Sequence, residues 1–302
     1  MSSALPMYAD LHLHTFFSDG TFSPEEVVAR GKEKGLTTLA LTDHDTVEGC
    51  ERMATACQQH GLEFIPGSEL TSEFNQHEIH LLGYFMDIHQ PRLLGELRKF
   101  QEVRQNRIRE MVTRLNKLGI PLEAEAVFRI ASCKAPGRPH VGRALVQGGF
   151  CRSMDEAFER FLKKHRPAWV PKFRISAADA IGLIHQSGGL AVMAHPGLNH
   201  VDEIIPELVA SGMDGIECFH TKHSTKMSEH YLLIAEKHGL LVTGGSDCHG
   251  NSKGTPLIGT IKLPMVYVNH LKEAAARKAG CPAGNNGSAG QGNSPQPPTN
   301  IQ

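Results

Sequence analysis

The chain has 302 residues, of which 40% are hydrophobic, and this suffices for one large α/β domain with or without an insertion. No stretch approaches the ~18 consecutive apolar residues of a membrane span, and the first residues lack the charged start and apolar run of a signal peptide. Seven cysteines without a CxxC pair fit a reducing compartment, so we expect a soluble cytoplasmic protein with no membrane partner. The 18 histidines, against 4 tyrosines and 1 tryptophan, are a first indication of metal chemistry.

Short apolar runs alternate with amphipathic segments over residues 1–91, which is typical of successive strand and helix units. The first strand reads ADLHLHT, and the helix after it has Ser23 as N-cap, with Glu26 completing a capping box. A second helix runs from Val47 to His60 and is ended by Gly61. The other predicted strands of this part read TTLALTDHD, LEFIPGSEL and EIHLLGYF.

Residues 92–168 are predicted to form an inserted basic helical domain. A long polar helix runs from Pro91 to about Leu118, and short helices follow without a strand between them. From Arg92 to Arg174 the chain has 19 Lys and Arg against 8 Asp and Glu, whereas the remainder has 12 against 24. A solvated helical surface would have such charges, but a basic insert in an acidic, histidine-rich chain also suits an anionic partner.

The alternation of strands and helices returns over residues 169–278. We interpret AWVPKF as a short strand, and we predict helices capped by Ser176, beginning near Asp202, and running from about Thr225 to His238. The strands LAVMAHP, GIECF and LLVTGGSDCHG accompany them. About seven such units fit a closed barrel better than an open sheet, although periodicity does not separate the two. The Gly-, Asn-, Pro- and Ser-rich residues 279–302 are predicted to be a disordered tail.

Histidines and carboxylates recur where predicted strands end. His12 and His14 lie two apart on one strand and therefore share a face. Most of the other candidates follow a strand, and in a barrel these ends converge on one mouth; His80, early in its strand, is the exception. Since one ion takes about four to six ligands, nine candidates indicate two or three divalent ions. The candidate metal ligands are His12, His14, Asp19, His44, Glu69, His80, His195, Asp247 and His249.

The ordered set of HxH, a distal Asp, TDHD, GSE, AHP and SDCH resembles the polymerase and histidinol phosphatase (PHP) family of the amidohydrolase superfamily. The resemblance covers the chain from Tyr8 to about Gly259 except for the basic insert. It implies a distorted (β/α)7 barrel with an inserted small helical domain. It further implies three ion sites, formed by His12, His14, Glu69 and Asp247; by Glu69, His80 and His195; and by Asp19, His44 and His249.

The chain is most similar to the branch of this family that hydrolyses nucleotide 3′,5′-bisphosphates and trims RNA from its 5′ end. The implied reaction is removal of the 3′-phosphate by metal-activated water, with Asp19, His44 and His249 as catalytic residues. We expect manganese, with iron or zinc as alternatives. The leaving oxygen could take its proton from a metal-bound water or from Asp19. Where histidinol phosphatases of the family have histidine, this chain has Asp19, which leaves the occupancy of the third ion site open.

Other functions remain as alternatives: a 5′-3′ exoribonuclease, a histidinol-phosphate-type phosphatase, or a binding module without catalysis. The basic insert favours a nucleotide bisphosphate or short oligonucleotide as substrate over histidinol phosphate. Neither stable binding of duplex nucleic acid nor a protein partner is predicted. The candidate substrate contacts are Asp19, Arg104, Arg107, Lys134, Arg138, His140 and His223.

Overall fold

A computed structural model of the protein describes residues 7–172 and 174–280. Nine strands in these residues form one sheet. In chain order they are β1 (Tyr8–Asp10), β2 (Thr38–Leu41), β3 (Glu63–Phe74), β4 (His77–Tyr84), β5 (Ile175–Ser176), β6 (Leu190–Met193), β7 (Gly215–His220), β8 (Leu241–Gly245) and β9 (Leu263–Pro264).

The helices begin where the sequence provides caps. Ser23 accepts a hydrogen bond from the Glu26 amide in a full capping box, and Ser176 accepts one from the Asp179 amide. Gly61 ends the second helix in the left-handed conformation. The helices are α1 (Pro24–Glu33), α2 (Cys50–His60), α3 (Pro91–Lys117), α4 (Ala124–Ala131), α5 (Arg138–Gln147), α6 (Met154–Ala157), α7 (Ala177–Gln186), α8 (Ile205–Ala210), α9 (Thr225–His238) and α10 (Met265–Gly280).

The sheet is a distorted, nearly closed barrel of seven main strands, as the sequence predicts. Its order is β8-β7-β6-β4-β3-β2-β1-β9, and the two-residue strand β5 pairs with β3. The chain beyond β1 closes the barrel against the chain beyond β8, because Leu13 bridges Cys248 in parallel and the His14 amide donates to the Cys248 carbonyl at 3.0 Å. None of the helices in the described residues is long and apolar enough to cross a membrane.

Strand β4 runs opposite to its neighbours, and this explains the position of His80. It is antiparallel to both β3 and β6, and Asn75 and Gln76 make the tight turn between β3 and β4 with positive φ. The start of β4 therefore lies at the edge where the parallel strands end. His80, paired with Thr71, reaches the mouth of the barrel from an early strand position.

Three hydrophobic clusters fill the molecule. The largest lies between the sheet and its surrounding helices, and a second inside the barrel includes Leu11, Tyr84 and Val192. Helix α10 contributes Val268 and Leu271 to this inner cluster, so it packs against the barrel interior. The third cluster draws its buried residues from Ile108 to Ala168, within the predicted insert. The insert segment thus has apolar packing of its own.

Four local expectations differ from the structure. Residues 168–172 of the AWVPKF segment form no strand, and the strand nearby is instead β5, which pairs with the long β3. The helix predicted from Asp202 begins as a short 3-10 turn before α8. Helix α10 was not predicted. It includes residues 279 and 280 of the predicted tail; the rest of that tail, 281–302, lies outside the described residues.

Candidate metal centre

The nine candidate ligands come together at the mouth of the barrel. His12 and His14 follow β1, and the backbone of His44 beyond β2 bridges that of Glu69 in β3. His195 and Asp247 follow β6 and β8 with φ of 30° and 52°, a left-handed conformation that is uncommon for residues other than glycine. Strained backbone at strand ends is a frequent property of functional sites.

Glu69 is the centre of the cluster. Its side chain is buried, and its Oε1 lies 2.6 Å from His80 Nδ1 and 3.2 Å from His195 Nε2. Its Oε2 lies 3.0 Å from His44 Nδ1, 3.3 Å from His14 Nε2 and 3.4 Å from His12 Nε2. One carboxylate therefore faces five imidazoles, and its two oxygens face different groups of them.

A second group surrounds Asp19. Its Oδ1 lies 3.2 Å from His249 Nε2 and 3.9 Å from His44 Nε2, and ligand atoms of these three residues and His14 all lie within 4.8 Å of one another. Burial would raise the pKa of Asp19, but its interactions with the imidazoles of His249 and His44 hold it well below its usual value. The carboxylate is therefore ionised, which suits a ligand better than a proton donor.

A third group consists of His12, His14 and Asp247. Asp247 Oδ1 lies 3.2 Å from His14 Nε2 and 3.5 Å from His12 Nε2. The strand ends approach closely here because residue 245 is glycine: a Cβ at Gly245 would lie 2.3 Å from the Cβ of His12. Burial would lower the pKa of His14, but the carboxylates of Asp247 and Glu69 raise it to about 9.

The donor atoms fit divalent metal ions. Both ring nitrogens of His14, Asp19 Oδ1, His44 Nδ1 and His195 Nδ1 are buried and make no hydrogen bond of regular geometry with the described residues. Buried polar atoms left this way are costly unless a ligand satisfies them. Burial lowers the pKa of His44 to about 4, so this imidazole is neutral at pH 7 and has a lone pair for a metal ion.

The family model for the PHP domain matches residues 10–163 of the chain. A 3′,5′-nucleoside bisphosphate phosphatase from Chromobacterium violaceum is 33% identical over 277 residues, covering 89% of this chain and 96% of its own. The chain belongs to the PHP domain family. The barrel is therefore that of a PHP protein.

Two further proteins are similar over most of their length. A 5′-3′ exoribonuclease, Rnm, from Salmonella typhimurium is 34% identical over 247 residues, covering 80% of this chain and 84% of its own. The solved structure of a proposed metal-dependent phosphoesterase from Bifidobacterium adolescentis matches with a TM-score of 0.81 and 30% identity, covering 89% of this chain and 96% of that one. This PHP protein is a metal-dependent phosphoesterase, and its fold implies divalent ions held by the His, Asp and Glu groups described above.

Four cations line the cleft above the candidate metal ligands of the PHP barrel. Arg104, Arg107 and Arg138 come from the insert helices α3 and α5, and Lys172 comes from the segment that follows. Lys172 was not predicted; the signal was the basic excess, which continues past the predicted insert boundary at residue 168 to Arg174. The cleft thus joins the barrel mouth to the basic insert.

The four cations differ in how their charges are balanced. Arg104 Nε lies 2.6 Å from Asp45 Oδ2, and Lys172 Nζ lies 2.7 Å from Glu78 Oε1. Arg107 and Arg138 have no carboxylate within ion-pair distance among residues 7–172 and 174–280, and Arg107 Nη2 is buried without a partner there. Burial and the charges of Arg138 and Arg104 lower the pKa of Arg107 to about 9. Two guanidinium groups therefore line the cleft without a carboxylate in ion-pair contact among the described residues.

Of the other predicted substrate contacts, Asp19 lines the cleft, whereas Lys134, His140 and His223 do not. Lys134 is exposed and pairs with Glu48, outside the set of residues that line the cleft. His140 Nδ1 accepts the Gly137 amide at 3.0 Å and so helps to cap α5. His223 uses both ring nitrogens within the protein: Nδ1 lies 3.0 Å from the Cys218 carbonyl, and Nε2 accepts the Gly197 amide at 3.2 Å.

Several buried residues that surround the candidate ligands were not predicted from the sequence. Asp43 accepts hydrogen bonds from Thr15 and Ser18 and so shapes the loop that bears Asp19. Glu217 and His220, both on β7, lie against the candidate ligands. The TDHD motif contained a signal for Asp43, because its two acidic residues flank His44. His220 stood one residue beyond the predicted strand GIECF, so the pattern gave no reason to select it.

Proposed function

We propose that this phosphoesterase removes the 3′-phosphate of nucleoside 3′,5′-bisphosphates, such as adenosine 3′,5′-bisphosphate, and leaves the 5′-monophosphate. The observation that carries the proposal is that seven of the nine candidate metal ligands line one cleft together with Arg107 and Arg138, which have no carboxylate within ion-pair distance among the described residues. The end of the cleft that would hold metal ions suits the phosphate that is hydrolysed. The end with Arg107 and Arg138 suits a second phosphate on the same small molecule. The 33% identity with a bisphosphate phosphatase supports the same substrate.

The nine candidate ligands would hold two or three divalent ions, and we propose manganese with iron or zinc as alternatives. When bound, such ions neutralise phosphoryl oxygens and provide hydroxide at neutral pH. His12, His14 and Asp247 form one group, and Asp19, His44 and His249 form another with His14. The third group consists of His44, Glu69 and His80, whereas the resemblance implies His195 in place of His44. His195 is nevertheless close, because its Nε2 lies 3.2 Å from Glu69 Oε1.

The chain's own cations orient the rest of the substrate. Arg107 and Arg138 would bind the 5′-phosphate, since their guanidinium groups present several donors and lack a counter-charge. Arg104 is held by Asp45, which follows the candidate ligand His44 directly, so it links the phosphate-binding end to the metal end. Phe158 and Leu198 add apolar surface to the same cleft for the nucleoside.

A 5′-3′ exoribonuclease activity is a second candidate because the same cleft would accept the phosphorylated end of a short RNA. The 34% identity with the Salmonella typhimurium exoribonuclease favours it. Both reactions need a phosphate held beside the metal centre, so they do not require different sites. A histidinol-phosphate-type phosphatase fits less well, because its substrate has no second phosphate for Arg107 and Arg138.

The deciding experiment measures phosphate release by the manganese-reconstituted protein from three substrates: adenosine 3′,5′-bisphosphate, AMP and histidinol phosphate. We expect a strong preference for the bisphosphate. We expect Arg138→Ala to remove that preference, with the exposed Arg129→Ala of α4 as its control. Equal or faster turnover of histidinol phosphate would contradict the proposal, and faster degradation of a 5′-phosphorylated oligoribonucleotide would favour the second candidate.

A further inference from the structure

Strand β7 presents two side chains to the ligand cluster that lie outside the nine candidates. In a regular strand, residues three apart point to opposite faces. The pairing of β7 with β8 shifts register between Glu217 and Phe219, so β7 has one extra residue at this point relative to β8. Glu217 and His220 consequently face the same side: Glu217 lies 3.0 Å from His12 Nδ1, and the His220 ring centre lies 5.5 Å from that of His195.

Glu217 determines which nitrogen of His12 faces the cluster. It is completely buried, its Oε1 lies 3.0 Å from His12 Nδ1, and its Oε2 accepts the His195 amide at 2.7 Å. An ionised carboxylate only accepts hydrogen bonds, so in the neutral ring of His12 the proton is on Nδ1 and Nε2 keeps its lone pair. The bond to the His195 amide also holds that residue in its left-handed conformation.

His220 has the opposite tautomer. Its Nδ1 accepts the amide hydrogen of Lys222 at 3.1 Å, so the proton of the neutral ring is on Nε2. The side chain is buried, and Nε2 lies 3.6 Å from Asp247 Oδ2, just beyond hydrogen-bond length. A nitrogen that bears a proton does not bind a metal ion, but it attracts a carboxylate.

We propose that β7 is a positioning strand for the metal centre: Glu217 keeps His12 Nε2 free for a metal ion, and His220 orients Asp247 through its Nε2 proton. Both residues act through ligands and touch no reacting atom. The proposal rests on the assignment of His12 and Asp247 as ligands in the proposed function, but not on the substrate. Such outer partners typically change metal affinity about 10- to 100-fold when they are removed.

Glu217→Gln tests the first half. Glutamine has the same shape, but one of its two terminal positions is an NH2 donor instead of an acceptor oxygen. That NH2 group would face either the His195 amide, another donor, or His12 Nδ1, which would force His12 into the wrong tautomer. Titration of the chelator-stripped protein with Mn²⁺ should show binding weakened roughly 10- to 100-fold. The control is Glu229→Gln on the exposed face of α9, which should bind as the native protein does.

Nitrogen-15 NMR of the histidine rings in the zinc-loaded native protein provides a test that does not depend on a variant's folding. We expect His12 to be protonated at Nδ1 and His220 at Nε2. The opposite tautomer at His12, or native Mn²⁺ affinity in Glu217→Gln, would overturn the role of Glu217. A native protein that bound no Mn²⁺ would instead overturn the proposed function, and this inference with it.

His220→Gln and His220→Leu test the second half. Glutamine extends an amide donor toward the position of His220 Nε2, whereas leucine fills similar space without one. We expect His220→Gln to bind Mn²⁺ within about threefold of the native protein and His220→Leu to bind about tenfold more weakly. Equal affinities for the two variants would mean that His220 only fills space.

Discussion

The barrel mouth and the basic insert meet in one cleft, yet their polar groups differ in charge and in how many already have hydrogen-bond or ion-pair partners. At the mouth, ring nitrogens and a carboxylate oxygen are buried together without regular hydrogen bonds, around a central Glu69. In the insert and the segment after it, two of the four cleft cations already have partners, as Arg104 has Asp45 and Lys172 has Glu78. The mouth therefore suits cations, whereas the insert keeps Arg107 and Arg138 for an anion.

The two regions also differ in how their geometry is fixed. The mouth depends on features that tolerate little change, including the left-handed His195 and Asp247 and the close approach at Gly245. The insert holds its cations on helices around a separate apolar cluster. It contacts the barrel through polar groups and through Leu93, Leu97 and Phe100 of α3, which pack into the largest cluster. We therefore expect changes at the mouth to affect catalysis of every substrate, and changes in the insert to affect the choice of substrate.

The largest effect is expected for Glu69→Gln, which removes the charge that faces five imidazoles. The value of kcat should fall roughly 10³-fold or more for a nucleoside bisphosphate and for a monophosphate alike, because the chemical step is lost. Metal analysis after gel filtration should show less bound Mn²⁺. The control is Glu63→Gln, an exposed residue of the same strand. If Glu69→Gln kept kcat within tenfold of the native value, the mouth would not be the metal centre.

A smaller and selective effect is expected for Arg107→Met, which replaces a buried guanidinium without a counter-charge. The value of kcat/KM for adenosine 3′,5′-bisphosphate should fall about 30-fold, while that for adenosine 3′-monophosphate changes little, because a charged hydrogen bond to the second phosphate is lost. Arg109→Met, exposed two residues further along α3, is the matched control. Equal losses of kcat/KM for both substrates would mean that Arg107 acts on the phosphate at the metal end and not on the second phosphate.

The same contrast explains what the sequence predicted well. Metal ligation requires particular residue types at fixed strand positions, so motifs such as HxH and SDCH were informative, and the structure brings all nine candidates to one mouth. The barrel followed from the alternation of strands and helices and from the resemblance. A reversed strand could not be read from periodicity, so the position of His80 became clear only from the antiparallel pairing of β4.

The residues that bind the substrate were harder to select because any exposed Lys or Arg in a basic segment is a candidate. Lys134 and Lys172 look alike in the sequence, but only Lys172 lines the cleft. Glu217 and His220 depend on a register shift in β7, which strand alternation does not reveal. Helix α10, in contrast, did have a signal in the spacing of Val268, Leu271 and Ala275.

The smallest effect is expected where the two regions touch, at Arg143 of α5. Its Nη2 donates to the backbone carbonyl of Asp19 at 2.8 Å, so an insert helix holds the loop that bears a candidate ligand. Arg143→Met keeps an unbranched apolar stem but removes the guanidinium donor. We expect one class of Mn²⁺ site to bind about 5- to 10-fold more weakly, as for other outer partners of metal ligands.

Mn²⁺ titration and steady-state kinetics with both adenosine nucleotides would measure this coupling, with the exposed Arg152→Met as control. Because Asp19 belongs to the metal end, both substrates should lose activity in proportion. A loss confined to KM for the bisphosphate would instead mean that Arg143 contacts the second phosphate. The insert would then select the substrate without supporting the metal centre, and the separation between the two regions would be sharper than the Arg143 contact implies.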